Sequence, residues 1–148
     1  MRDAPIALTG LAGLLIAAAV AVAPGAARLS PAVGCKFGGI RYVGSTSQKK
    51  DLCLTLSGNR KVVREYAYDY VDTCGTGTTR AINPHGGIVP VTPAGVFVRM
   101  TADGFFKGVV RAGKATGTFR QKTEETTPGS GSITCDTHIV RWTAVRAG

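Results

Sequence analysis

The chain has 148 residues, the size of a single domain, with 18 Lys and Arg against 9 Asp and Glu and a net charge of +9. This excludes a multidomain architecture. It makes any electrostatic partner an anionic one, which outside the cytoplasm means an envelope polymer, a lipid headgroup or stray nucleic acid, although no motif for specific nucleic-acid recognition accompanies the charge.

Residues Ile6 to Ala23 hold no charge and are dominated by Ala, Leu, Val and Ile, behind a weak Met1-Arg2-Asp3 n-region. The small residues Pro24-Gly25-Ala26-Ala27 follow, and signal peptidase accepts little more than Ala before its cut. The pattern predicts a signal peptide at 1–27 with cleavage near Ala27, a linker at 28–36 and a secreted or envelope-associated β domain at 37–147. An uncleaved membrane anchor is the alternative, because about 18 apolar residues is the lower limit for crossing a bilayer. Lipidation at Cys35, in the loose lipobox Ala32-Val33-Gly34-Cys35, is a third reading. It fits poorly, since the cysteine lies well beyond the apolar run and its loss would leave an odd number of thiols.

Cys35, Cys53, Cys74 and Cys135 all follow the export signal, and an even count at wide spacing predicts two disulfides. Zinc is the rival for these side chains. Only Cys135 and His138 have ligand spacing, with no second pair to complete a tetrahedron, so no metal or other cofactor is expected.

After Pro31 there is no sustained helical period, while Gly, Thr and Val punctuate short alternating runs. Asp51 to Leu56 alternates so that Leu52, Leu54 and Leu56 share one face and Cys53 takes the other. Ser57-Gly58-Asn59-Arg60 is a tight turn, and Val62 to Val71 continues as one long strand. Its Tyr66, Tyr68 and Tyr70 share a face that is better read as core than as a stacking platform, opposite Glu65, Ala67 and Asp69 as solvated charges and filler. Gly75 to Gly95 reads as loop with at most one short strand. Strands return at Val96 to Met100, Phe105 to Arg111 and Ala115 to Gln121. Glu124 to Ser132 reads as a second loop, the most mobile part of the domain, before a last pair at Ile133 to Cys135 and Ile139 to Val145. The fold class expected is all-β, an antiparallel sandwich or flattened barrel with two disulfides, large enough to bury one core without a cofactor.

Gly44-Ser45-Thr46-Ser47-Gln48, then Cys74, then Gly117-Thr118-Phe119, then Cys135-Asp136-Thr137-His138-Ile139-Val140-Arg141-Trp142-Thr143-Ala144 resembles a group of secreted bacterial β domains to which no activity is attached. Its members share a G-x-T-S-Q turn and a terminal C-x-T-G-x-V-x-W-T-A motif. The likeness spans about Phe37 to Val145 and implies that Cys74 pairs with Cys135 and that Trp142 packs in the core. The sequence departs from the group at His138, where Gly is usual, and in its additional Cys35 and Cys53. These two are expected to pair, because Cys53 faces away from the leucine side and an N-terminal segment crossing that outer face would reach it.

Candidate chemistry is thin. A hydrolase would be built around His85 or His138, but neither has a nucleophile and an orienting carboxylate in a recognisable motif, and Ser45, Ser47 and Ser57 sit in plain turns. Glu65 and Asp69 share a face, yet four strand residues span roughly 13 Å, too far for a glycosidase pair. An exported inhibitor presenting the 83–93 loop is a further alternative. The leading expectation is a non-enzymatic exported module that binds an anionic envelope component or a protein partner. Its candidate surface is a basic face of Arg99, Lys107, Arg120 and Arg141. Arg99 is placed outward because Val96, Val98 and Met100 take the opposite parity; Lys107 is ambiguous between Phe105 and Phe106.

Overall fold

The computed structural model describes residues 34–148 except 76, 78, 83, 128 and 130. The expected signal peptide at 1–27, its cleavage point and most of the 28–36 linker lie outside the described residues. The protein is all-β, with no helix among the described residues. In chain order the strands are β1 (Ile40–Thr46), β2 (Asp51–Leu56), β3 (Val62–Tyr68), β4 (Tyr70–Cys74), β5 (Thr79–Ile82) and β6 (His85–Gly86). Then come β7 (Val89–Pro90), β8 (Val96–Thr101), β9 (Gly104–Arg111), β10 (Lys114–Thr127), β11 (Gly131–Asp136) and β12 (Val140–Arg146).

All pairings are antiparallel, and the order β8-β9-β10-β12-β1-β2-β3 curls into a half-barrel. β7 pairs with β3, and the next residue, Val91, forms a single bridge to Phe97 on β8, which links the two edges of the curled sheet at one end. The far half of β10 leaves this sheet and joins β11, β4 and β5 as a side arm.

Period-two alternation supplies the core. Leu52, Leu54 and Leu56 on β2, Tyr66 and Tyr68 on β3, and Val140, Trp142 and Ala144 on β12 all point inward and are buried. Their centre is a run of rings: Tyr66 on Phe106 at 4.4 Å between centroids, Phe106 on Trp142 at 5.2 Å, and Tyr68 on Phe119 at 4.3 Å. Offset rings at these separations add to the area they bury. Burial also holds the Tyr68 hydroxyl protonated well above the ordinary tyrosine range, although Gln121 Nε2 donates to it.

The expected boundaries change in four places. The long strand at Val62 to Val71 breaks at Asp69, whose N–H donates to the Asp51 carbonyl, so β3 stays in the half-barrel while β4 departs to the arm. Gly75 to Gly95 holds three short strands rather than one, because β5 pairs with β4 in the arm while β6 and β7 pair along the outer edge of β3. Glu124 to Thr127 and Gly131 to Ser132 are strand residues that extend β10 and β11, in register from Lys122 opposite Asp136 to Thr127 opposite Gly131. Polar composition marks solvent exposure there, not absence of a backbone ladder.

The fourth change is at the N-terminal side. Residues 34–39, assigned in part to a linker, form a strap across the outer face of β2 and β3. Cys35 is bridged to Cys53, and the Glu65 carboxylate accepts hydrogen bonds from the Lys36 and Phe37 N–H groups at 2.6 and 2.9 Å. Arg41 and Arg64 donate to the Cys35 and Gly38 carbonyls at 3.0 and 2.9 Å. The strap explains why β2 is buried on both faces, and it makes Glu65, only 5% exposed, an anchor instead of a solvated charge. The second disulfide joins Cys74 to Cys135, which sit directly opposite each other on β4 and β11. Both expected bridges are present, and the Cα separations of 5.9 and 3.9 Å satisfy the reach of a disulfide.

Candidate functional site

Antiparallel strands return to the same end every second turn, so turns far apart in sequence meet at one rim. At the end closed by the Val91–Phe97 bridge, three such turns surround a recess of about 700 Å³. Its floor is apolar, made by the half-buried Val91 and Val110 over the buried Tyr42 and Leu56; Arg60, Lys61 and Arg111 line its rim, and no Asp or Glu does.

Each rim turn is held by its own chemistry. In the β2–β3 turn the Asn59 Oδ1 accepts from the Ser57 hydroxyl at 2.7 Å and from the Lys61 N–H at 3.1 Å, while Arg60 adopts a left-handed φ of 59°. That conformation is tolerated in a tight turn, and it places two consecutive cationic residues beside the recess. In the β7–β8 turn the Thr92 N–H donates to the Val96 carbonyl and the Thr92 hydroxyl accepts from the Val96 N–H at 3.1 Å. The β9–β10 connection is a two-residue turn with positive φ at both Ala112 and Gly113, the geometry that matches strand twist, and it sets Arg111 opposite Lys114. Below the floor the recess ends, because Phe97, Phe106 and Trp142 fill the barrel interior.

The expected basic face assembles only in part. Lys107 and Arg141 lie in one cross-strand row through Thr118, on the outer surface of β9, β10 and β12, and both are exposed. Lys107 Nζ stands 5.0 Å from the Phe105 ring, so its parity is the outer one. Arg120 shares that outer surface, but its guanidinium is bound two-pronged to the Asp136 carboxylate, through Nε to Oδ1 at 3.0 Å and through a terminal nitrogen to Oδ2. The hydrogen bond from Arg120 is the main cause that draws the Asp136 carboxyl down to about 2.

Arg99 does not belong to this surface. Val96, Val98 and Met100 are 38, 49 and 67% exposed, whereas Phe97 is 1% exposed, so β8 has the opposite parity to that expected. Three smaller apolar side chains suggested the buried face, yet one phenyl ring packed against both Phe106 and Trp142 outweighs them. Arg99 therefore lies on the Tyr66 side of the strand, where its charge partly opposes the rise that burial imposes on the Tyr66 hydroxyl.

His138 is exposed in a left-handed turn, and its N–H donates to Asp136 Oδ1, a carboxylate already committed to Arg120. His85 is on β6, opposite Ala67; its side chain lies outside what is described. The 83–93 segment, residue 83 apart, is woven into the sheet through β6, β7 and Val91, with Ile88, Pro90, Thr92 and Pro93 exposed along it. No group of His, Cys, Asp and Glu among the described residues could hold a metal ion, and no helix there is long and apolar enough to cross a membrane.

Arg60 was legible as a turn residue, Lys61 as the residue after that turn and Arg111 as the end of a strand. The available signal was that the β2–β3 and β9–β10 turns both carry cations without a neighbouring carboxylate. Comparison with protein-family models, with curated proteins and with solved structures finds no match to this chain.

Proposed function

We propose that this protein is an exported, non-enzymatic β module that binds an anionic ligand at the mouth of its half-barrel. One observation carries the reading: Arg60, Lys61 and Arg111 all line a single concave recess to which no acidic side chain contributes. Convergent cations beside low-dielectric walls raise the local potential far more than the same charges spread over a convex face. Lys107 and Arg141 on the outer row each border a separate, smaller recess, of about 310 and about 260 Å³, and Arg120 beside them is neutralised by Asp136. Two disulfides support an oxidising compartment, in keeping with the apolar N-terminal segment. The commitment of Asp136 to Arg120 removes the carboxylate that a His138-based hydrolase would need, which favours binding over catalysis.

The test is calorimetric titration of the secreted protein with two anionic probes, polyphosphate and a long-chain carboxylate, at low and moderate salt. Binding of at least one probe should weaken by tenfold or more in the double variant Arg60→Glu/Arg111→Glu and should weaken with salt. The variant Lys107→Glu/Arg141→Glu should bind as the wild type does. The reverse pattern would place the anion site on the outer sheet face and overturn this reading.

A further inference from the structure

The mouth has a property that an anion site alone does not require. Its cations sit at the entrance, and the accessible surface beneath them is the half-buried hydrocarbon of Val91 and Val110, backed by the buried Tyr42 and Leu56. A phosphate or carboxylate polymer would satisfy the rim and leave this floor dry and unmatched. From this layering, and resting on the anion-binding reading above, we infer that the mouth takes a single-chain anionic amphiphile, a long-chain carboxylic acid. The headgroup meets the rim cations and the tail lies on the floor.

Size and depth agree with that occupant. A recess of about 700 Å³ falls within the range of small-molecule sites, which are mostly apolar with a few placed polar groups. The tail cannot thread the barrel, because Phe106 is stacked on Trp142 and Phe97 abuts both. It therefore bends across the recess, which limits the length of chain that gains contact. Arg60 and Arg111 suit a carboxylate headgroup, since a guanidinium offers two parallel N–H donors.

A bilayer surface is the less fitting source of the same chemistry. Proteins that rest on membranes insert large apolar side chains, whereas the rim tips are Asn59, Pro93, Ala94, Ala112 and Gly113. The most exposed apolar side chains, Ile88, Met100 and Phe37, lie away from this recess. The apolar surface of the mouth is recessed, so a free amphiphile reaches it and a packed headgroup layer does not.

The test is a ladder of saturated carboxylates of increasing chain length, titrated into the secreted protein beside the matching alcohols, polyphosphate and anionic vesicles. Affinity should tighten about fourfold per added methylene, the equivalent of about 0.8 kcal/mol, and level off once the recess is filled. Arg111→Glu, on an exposed turn, should shift the whole carboxylate ladder by tenfold or more and leave the alcohols unmoved. Val110→Thr should flatten the slope, with thermal unfolding confirming that each variant is folded. A flat ladder, or tighter binding of polyphosphate or vesicles than of any carboxylate, with sensitivity to Arg60→Glu/Arg111→Glu retained, overturns the amphiphile inference and leaves the anion site standing. Loss of that sensitivity for every probe overturns both.

Discussion

Trp142 lies across Gly117, close enough that a Cβ on that glycine would come within 2.4 Å of the indole Cζ2 and 2.0 Å of the Lys107 carbonyl oxygen. Gly108, directly opposite Gly117, meets the same ring, so two facing glycines form the seat on which the indole rests. The seat fixes the ring that closes the floor beneath the mouth.

Gly117→Ala should therefore destabilise the fold by about 2–3 kcal/mol, the upper range for overpacking, because one of the obstructing atoms is backbone and cannot turn aside. Gly58→Ala, in a turn with open space around it, should change stability by less than about 0.5 kcal/mol. Denaturant unfolding of the two variants checks this, and equal effects would mean that the indole is not seated as described.

One buried carboxylate, Glu65, holds two amides of the strap. Glu65→Ala would leave the Lys36 and Phe37 N–H groups without their acceptor, at a cost of about 1–3 kcal/mol. Glu65→Gln keeps an oxygen at that place and should recover most of the loss. Hydrogen exchange at the two amides should quicken in the alanine variant and stay near wild-type rates in the glutamine one.

Acid titration should report the Arg120–Asp136 pair. The Asp136 carboxyl stands at about 2 in the folded protein against an ordinary 3.8, so its contribution to stability is complete above the ordinary value. It fades as pH falls through that window toward the folded value. Arg120→Gln should raise the Asp136 titration midpoint in NMR toward the ordinary carboxylate range. The stability gap between variant and wild type should narrow as the solution is acidified.

The two disulfides should contribute unequally. Their sequence separations are 61 for Cys74–Cys135 and 18 for Cys35–Cys53, which the chain-entropy model converts to about 4 and about 3 kcal/mol. Paired Cys→Ala variants measured in denaturant test the order. A larger loss for the Cys35/Cys53 pair would show that the strap holds more of the fold than loop closure alone accounts for.

The sequence by itself determined what has a short period. Alternation placed Leu52, Leu54 and Leu56 together, put the three tyrosines of Tyr66, Tyr68 and Tyr70 in the core and turned Cys53 outward toward a segment that could bridge it. What only the tertiary structure decided is non-local. Alternation states that two faces exist and leaves open which one is covered, so Glu65 was expected in solvent until a strap from residues 34–39 closed over it, and Arg99 was set on the wrong side of β8. Strand order is equally invisible in a single strand: β12 enters between β10 and β1, and Val91 bridges to Phe97. That closure is what gathers Arg60, Lys61 and Arg111 from turns fifty residues apart around one apolar recess, because loops pack by where their strands end in space and not by their place along the chain.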